Sequence, residues 1–452
     1  MQAAVNSGEF PTLETNFHRP LNLTEDQILT LAPDESSKKS GKDLANPAKW
    51  VTKALSDRAI WGECQGSGSK PYQTQVDLTN LAFKCSCPSR KFPCKHGLGL
   101  LLLNARQPAL FEKGDEPAWV SEWLNRRVEK EEKKKEPEKP VDEAAQARRQ
   151  QARQQKVEDG TAELLLWIKD IIRGGILQAP DKTPAFWENM ARRMVDAQAP
   201  GLAGMVRALG NTSFFQEGWQ TLFLDQLLRI YLVLSGFQNN DQLDPALQDD
   251  ISGLIGFTVS QDELKEKPGV VDNWLVLGKQ SSEDQGLTVE RYWLSGAATG
   301  ASALILQFLV RGRDAQLTLT PGLTIRAELA FYSSAAPLRA LIKRQITTEG
   351  SGSFKSFAGW DDVLVSGTGT CSALPVFYER PYIVEQLLPV WYQQQWWLQD
   401  RQQQLMPLKE NSAAVWKILS LSGGERLNMA VIGKENQFEP IGVWFNNQYK
   451  IV

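Results

Sequence analysis

The spacing of apolar residues changes several times along the chain. In "YQTQVDLTNLAFKCSC" the residues Tyr72, Thr74, Val76 and Leu78 fall on one face of a strand, Thr79–Asn80 suits a turn, and a second strand follows. From Gly97 to Arg106 the period lengthens: Leu98, Leu101 and Leu102 mark a helix. Beyond Trp123 apolar residues other than alanine and valine nearly vanish, and Pro137 and Pro140 interrupt the run. Asp142 to Lys156 is rich in helix formers without a hydrophobic stripe, as in a solvated helix or a tether. Helical spacing returns with Leu164, Trp167, Ile168, Ile171 and Ile172. Thr183 and Pro184 then open a second helix, and "WQTLFLDQLLRIYLVLSGF" is a third. From about residue 270 the pattern alternates; Ile325, Ala327, Leu329 and Phe331 mark one strand, and the segment from Met429 to Val452 reads as two more.

These elements predict an α+β multidomain chain. An N-terminal domain over residues 1–125 holds a small ββα module at about 50–103. A charged linker over 126–160 leads to a helical domain over 161–260 and a β-rich domain with a helical insert over 261–452.

Composition narrows the function classes. The 452 residues are 42% hydrophobic and 23% charged, a soluble globular balance. A net charge of -3 argues against whole-molecule attraction to nucleic acid or an acidic membrane, so any such binding needs a local patch. "MQAAVNSGEF" has no secretory pattern, and no apolar run approaches the roughly 18 residues of a membrane helix. Five cysteines, mostly bunched, do not describe a disulfide framework, and a cytoplasmic location with no membrane partner is the expectation.

The bunching carries the chemistry. Cys85, Cys87, Cys94 and His96 form C-x-C-x6-C-x-H, in a chain with only two histidines. Residues two apart on an extended strand share a face, so each pair can grip an ion from one side. Three thiolates and an imidazole make a closed tetrahedral site that selects Zn2+ and leaves no position for a catalytic water. Lys84, Arg90, Lys91 and Lys95 surround the ligands with no acidic residue from Lys84 to His96, which favours ionised thiolates. A helix starting beside Cys94 and His96 adds its positive end.

The pattern Cys85-x-Cys87-x6-Cys94-x-His96 resembles the SWIM zinc finger, and "CSCPSRKFPCKHGLGLLL" is close to its bacterial form. "IWGECQGSGSKPYQTQVDL" also resembles what precedes the finger in bacterial SWIM proteins. The resemblance implies a structural zinc and a module that binds nucleic acid or protein. The multidomain layout resembles bacterial SWIM proteins encoded beside MoxR-type AAA+ ATPases and von Willebrand A-type proteins, which implies such proteins as partners.

Other features argue for less. Cys64 is expected as a small core residue or an exposed thiol, Cys371 carries no partner signal, and His18 reads as a surface residue. The 15 tryptophans suggest core packing before base stacking or carbohydrate contact. "LSGGE" at 421–425 matches the signature loop of ABC ATPases, but no phosphate-cradling G-x-x-x-x-G-K-[ST] accompanies it. With one histidine committed to metal, no Ser–His–acid set is plausible, and the chain is read as a non-enzyme. The expected function is a zinc-held nucleic-acid-binding module contacting DNA or RNA through Lys84, Arg90, Lys91, Phe92 and Lys95, with Phe83 and Phe92 available for stacking. A protein-assembly factor working with the ATPase and von Willebrand A-type proteins is the alternative.

Overall fold

Strands β1 (Trp50–Leu55), β2 (Ala59–Cys64), β3 (Tyr72–Asp77) and β4 (Ala82–Cys85) form an antiparallel meander that the short β5 (Glu112–Lys113) joins in parallel beside β1. Two helices precede it, α1 (Glu25–Thr30) and α2 (Glu35–Leu44); α3 (Lys95–Arg106) follows β4, and α4 (Ala118–Lys133) follows β5. This is a computed structural model, and it describes residues 23–452 apart from 67, 69, 80, 90, 134–142, 285–286, 311–318, 348–351, 377–378, 410–412 and 435–436. His18, Asn80, Arg90, Pro137 and Pro140 therefore lie outside the described residues. The chain divides into two compact units: Met1–Lys134 with Ser282–Val289 and Gln307–Pro321, and the remainder.

In the first unit, strand alternation sorts side chains to two faces. Ala59, Trp61 and Ala82 pack with Val120, Trp123 and Leu124 of α4. Gly62, of opposite parity, approaches Leu100 of α3. Every residue of α3 from His96 to Leu103 is buried. Helix α2 lies close against α3 because Gly99 leaves room: a Cβ there would come within 2.6 Å of the Leu44 Cβ. Trp50 ties the two layers, its Nε1 donating to the Leu44 carbonyl at 2.8 Å.

The second unit opens with helices α5 (Glu143–Gly174), α6 (Pro184–Asp196), α7 (Pro200–Gly210), α8 (Trp219–Gln238), α9 (Pro245–Ile255) and α10 (Gln261–Glu266). Val157, Leu164, Ile168, Trp187, Met194, Leu202, Phe223 and Leu227 are among its core residues. Two expectations change here. Residues 143–160, assigned to a charged linker, belong to α5, which runs unbroken to Gly174 and buries Val157. The buried stripe of α5 includes Leu165 and leaves Ile172 exposed, in register with buried Thr161 and Val157 one turn and two turns earlier. Thr183 holds the N-cap position of α6 without a side-chain hydrogen bond. Helix α8 has two apolar faces beside an Asp225–Arg229 ion pair; Phe223, Leu227, Ile230 and Val233 face the core, while Leu224, Leu228, Tyr231 and Leu232 are between 37% and 48% exposed.

Strands β6 (Val270–Asp284), β7 (Leu287–Gly296), β8 (Ser302–Val310), β9 (Thr324–Phe331) and β10 (Arg339–Thr347) close into a barrel in the order β10-β8-β7-β6-β9. After α11 (Trp360–Ala373) come β11 (Arg380–Tyr392), β12 (Gln395–Gln399), β13 (Leu405–Pro407), α12 (Ala414–Ser422), β14 (Leu427–Lys434), β15 (Gln437–Phe445) and β16 (Gln448–Ile451). They build a six-stranded sheet in the order β13-β12-β11-β14-β15-β16. The C-terminal segment thus holds three strands where two were expected: Asn446 and Asn447, both at positive φ, make a two-residue hairpin turn into β16. "LSGGE" is the end of α12, with Gly423 and Gly424 at positive φ. The tryptophans divide: Trp274, Trp293 and Trp360 are buried as expected, whereas Trp391 and Trp416 are 58% and 68% exposed.

Candidate metal centre

The ligands come from the end of the β3–β4 hairpin and the start of α3. Cys85 closes β4, Cys87 follows in the bend, Cys94 is the N-cap of α3, and His96 lies in its first turn. One ligand atom from each of the four lies within 4.8 Å of the others. His96 turns Nδ1 inward, 3.7 Å from Cys85 Sγ and 4.0 Å from Cys94 Sγ. In a tetrahedral zinc site, bond lengths of about 2.3 Å to sulfur and about 2.0 Å to nitrogen set ligand atoms about 3.5–3.8 Å apart. A small contraction reaches that, so the donor set and spacing fit zinc, with Nδ1 as the nitrogen ligand.

The surroundings favour thiolate. The backbone N–H groups of Cys87, Ser89 and Gly97, the last in the first turn of α3, act to lower Cys85, Cys87 and Cys94 respectively. The three thiols also interact. Hydrogen bonds from Cys85 and Cys94 hold the Cys87 thiol far below its ordinary range, and the same bonds raise Cys85 and Cys94.

Supporting residues hold the ligands in place. Thr74 Oγ1 is 3.2 Å from Cys85 Sγ, and the Tyr72 ring packs on His96 with centroids 5.0 Å apart. Both lie on the strand face already apparent in the alternation of β3, which was the signal for them. Gly97 is a further requirement: a Cβ there would meet the Phe83 ring at 2.7 Å. Cys64 is not part of the cluster; it is buried in β2, its Sγ donates to the Gln65 carbonyl, and burial pushes the thiol up to about 11.

The residues expected to meet nucleic acid divide. Lys84 and Lys95 are exposed, and neither has an ion pair among the described residues. Lys91 is exposed but engaged, its Nζ 2.7 Å from Asp34 Oδ2 and 3.1 Å from Ser36 Oγ at the start of α2. Asp34 is thereby held well below the usual carboxylate range. An acidic neighbour thus reaches the loop from 57 positions away, where the local sequence has none. Phe83 is 3% exposed and forms core, which removes it from stacking; Phe92 is half-buried and meets it edge-on at 6.0 Å. Arg90 lies outside the described residues.

Comparison with known families agrees with this geometry. Residues 72–104 match the SWIM zinc finger, and residues 152–255 match the SWIM-associated four-helix bundle domain. The second match begins inside α5, upstream of the residue-161 boundary expected for the helical domain. No curated protein and no solved structure matches the chain.

Proposed function

We propose that this zinc-binding chain uses its SWIM finger to hold a basic loop against the phosphate backbone of nucleic acid. The observation that supports it is a pair of exposed cations without an ion pair among the described residues, Lys84 next to Cys85 and Lys95 between Cys94 and His96. The metal would hold the backbone that carries both lysines, and Lys91 can exchange Asp34 for a phosphate only at the cost of an existing ion pair. Zinc has a structural role with all four positions filled by protein, so no metal-centred reaction is assigned to it. Titration of the full-length protein against a labelled 20-nucleotide duplex and a single-stranded RNA at several salt concentrations tests the reading. The Lys84→Ala/Lys95→Ala variant should flatten the log–log salt dependence by about 2 on duplex DNA and leave zinc content unchanged. Absence of binding to either probe at the lowest salt overturns it.

A second reading, protein assembly, is favoured by one observation: the exposed stripe of Leu224, Leu228, Tyr231 and Leu232 on α8. A helix apolar on its outer face normally meets another apolar surface. The resemblance to SWIM proteins accompanied by AAA+ ATPases and von Willebrand A-type proteins supplies the partner class. Cross-linking in the native host should recover such a partner through α8, and Leu228→Glu should abolish its recovery; a protein recovered equally with both forms counts against this reading.

A further inference from the structure

Helix α5 carries a basic cavity that the finger does not account for. Arg149, Arg153 and Lys156 stand at i, i+4 and i+7, so their side chains leave one helix face within about 10 Å along the axis. With Gln150, Ala152 and Gln198 they line a cavity of about 510 Å³. Among the described residues no carboxylate lines it. The nearest acids along the helix, Glu158 and Asp159, are engaged by the amides of Gln154 and Gln155 at 3.0 and 3.1 Å.

Arg153 is fixed before any ligand arrives. Its Nη2 donates to the Gly256 carbonyl at 3.0 Å, and its guanidinium lies 4.4 Å over the Phe257 ring. Its Nε is buried and has no acceptor among the described residues. An atom so enclosed is closed to a ligand, so the Nη groups beyond the one bond to Gly256 are the donors left for an oxyanion. Gln198, which also lines the cavity, adopts a φ of +61° two residues beyond α6, a conformation that favours glycine. A guanidinium suits phosphate oxygens, and three uncompensated cations suit a ligand with several charges.

We infer that this cavity binds a polyphosphate chain, supplied either as free inorganic polyphosphate or as the phosphate tail of a nucleotide. Arg153 anchors one phosphate through its fixed guanidinium. Arg149 and Lys156, exposed and one turn to either side, close on the neighbouring phosphates. The three cations lie within about 10 Å along the helix axis, the span of a few linked phosphates, which suits a short chain.

Calorimetric titration of the full-length protein with tripolyphosphate, ATP, orthophosphate and a 20-nucleotide single strand tests the inference. Tripolyphosphate and ATP should bind with tripolyphosphate contacts common to both, and orthophosphate more weakly. ATP tighter than tripolyphosphate identifies the nucleotide source; equal affinities identify free polyphosphate. Arg149→Gln and Lys156→Gln should each weaken binding about tenfold, the loss of one charge-assisted contact. Their melting temperatures without ligand should match the parent, since both residues are exposed; Arg153→Met, which keeps the stem on Phe257, should weaken binding further. The finger variant Lys84→Ala/Lys95→Ala should bind tripolyphosphate normally, which separates this site from the nucleic-acid reading. No binding of tripolyphosphate or ATP overturns the inference, as does binding undiminished in the variants. Single-strand binding that depends on these residues while tripolyphosphate fails to bind overturns it in favour of nucleic acid.

Discussion

Between Cys85 and His96 only Pro93, Cys94 and His96 are buried among the described residues, whereas α5 to α9 interlock Trp187, Phe223, Trp219 and Phe214 in edge-on ring contacts around a continuous aliphatic core. The loop has too little apolar surface to hold its own shape, and four side chains around one ion substitute for a core. The bundle has the reverse constitution: no candidate metal cluster among its described residues and a large apolar interior. The contrast shows that stability in this chain has two separable sources, and each can be removed while the other is observed.

Removing the ion should give the largest effect. Structural zinc in finger peptides contributes roughly 10–16 kcal/mol at neutral pH. Cys87→Ser should reduce zinc from one ion per chain to none by elemental analysis, and hydrogen exchange should rise across residues 85–96 while α5 to α9 keep their protection. Loss of protection in the bundle as well would end the separation. Trp187→Ala makes the converse test. It should cost about 3–5 kcal/mol in the bundle transition through the cavity it leaves, with zinc content unchanged.

Proton release sharpens the account of the loop. Without metal, Cys87 is the favoured thiolate while Cys85 and Cys94 are raised and hold protons at pH 7. Zinc displaces those protons, so uptake should release about two per ion and affinity should climb by about two log units per pH unit near neutrality. Zinc is correspondingly lost as pH falls. Calorimetry in buffers of differing ionisation enthalpy reads the number directly, and a value near zero would mean that the thiols are already ionised. The smallest effect belongs to the Asp34–Lys91 pair. The lowered carboxyl of Asp34 favours the fold above the unfolded carboxylate pKa, and that contribution disappears as pH falls through the folded value. Because both side chains are exposed, Asp34→Asn, which can still cap α2, should cost under about 1 kcal/mol in urea unfolding at pH 7.

The zinc ligands were legible because their spacing is local: two pairs, each within one strand or one turn, in a chain otherwise poor in cysteine and histidine. Helix α8 was legible for a similar reason, its apolar residues being dense enough to need no context. What escaped depends on residues distant in sequence. Asp34 meets Lys91 only because α2 packs on α3. Phe83 is buried by a helix that begins after the loop, so its neighbours in sequence suggested an exposed ring. Residues 143–160 carry one apolar anchor, Val157, too little for a periodic signal but enough to join α5 to the bundle. Closure of the barrel rests on pairing between β8 and β10, which no local pattern encodes.

The glycines of α3 set a limit on portability. Residues 72–104 carry all four ligands, yet Gly99 is shaped for Leu44 and the sheet behind Leu100 includes β2, both upstream of that stretch. A transplant of the matched residues alone into another scaffold would carry the coordination chemistry and abandon half of its seating, presenting the leucines of α3 to water. The smallest graft that keeps its apolar side covered begins at α2, which makes the exchangeable part of this protein larger than the motif that identifies it.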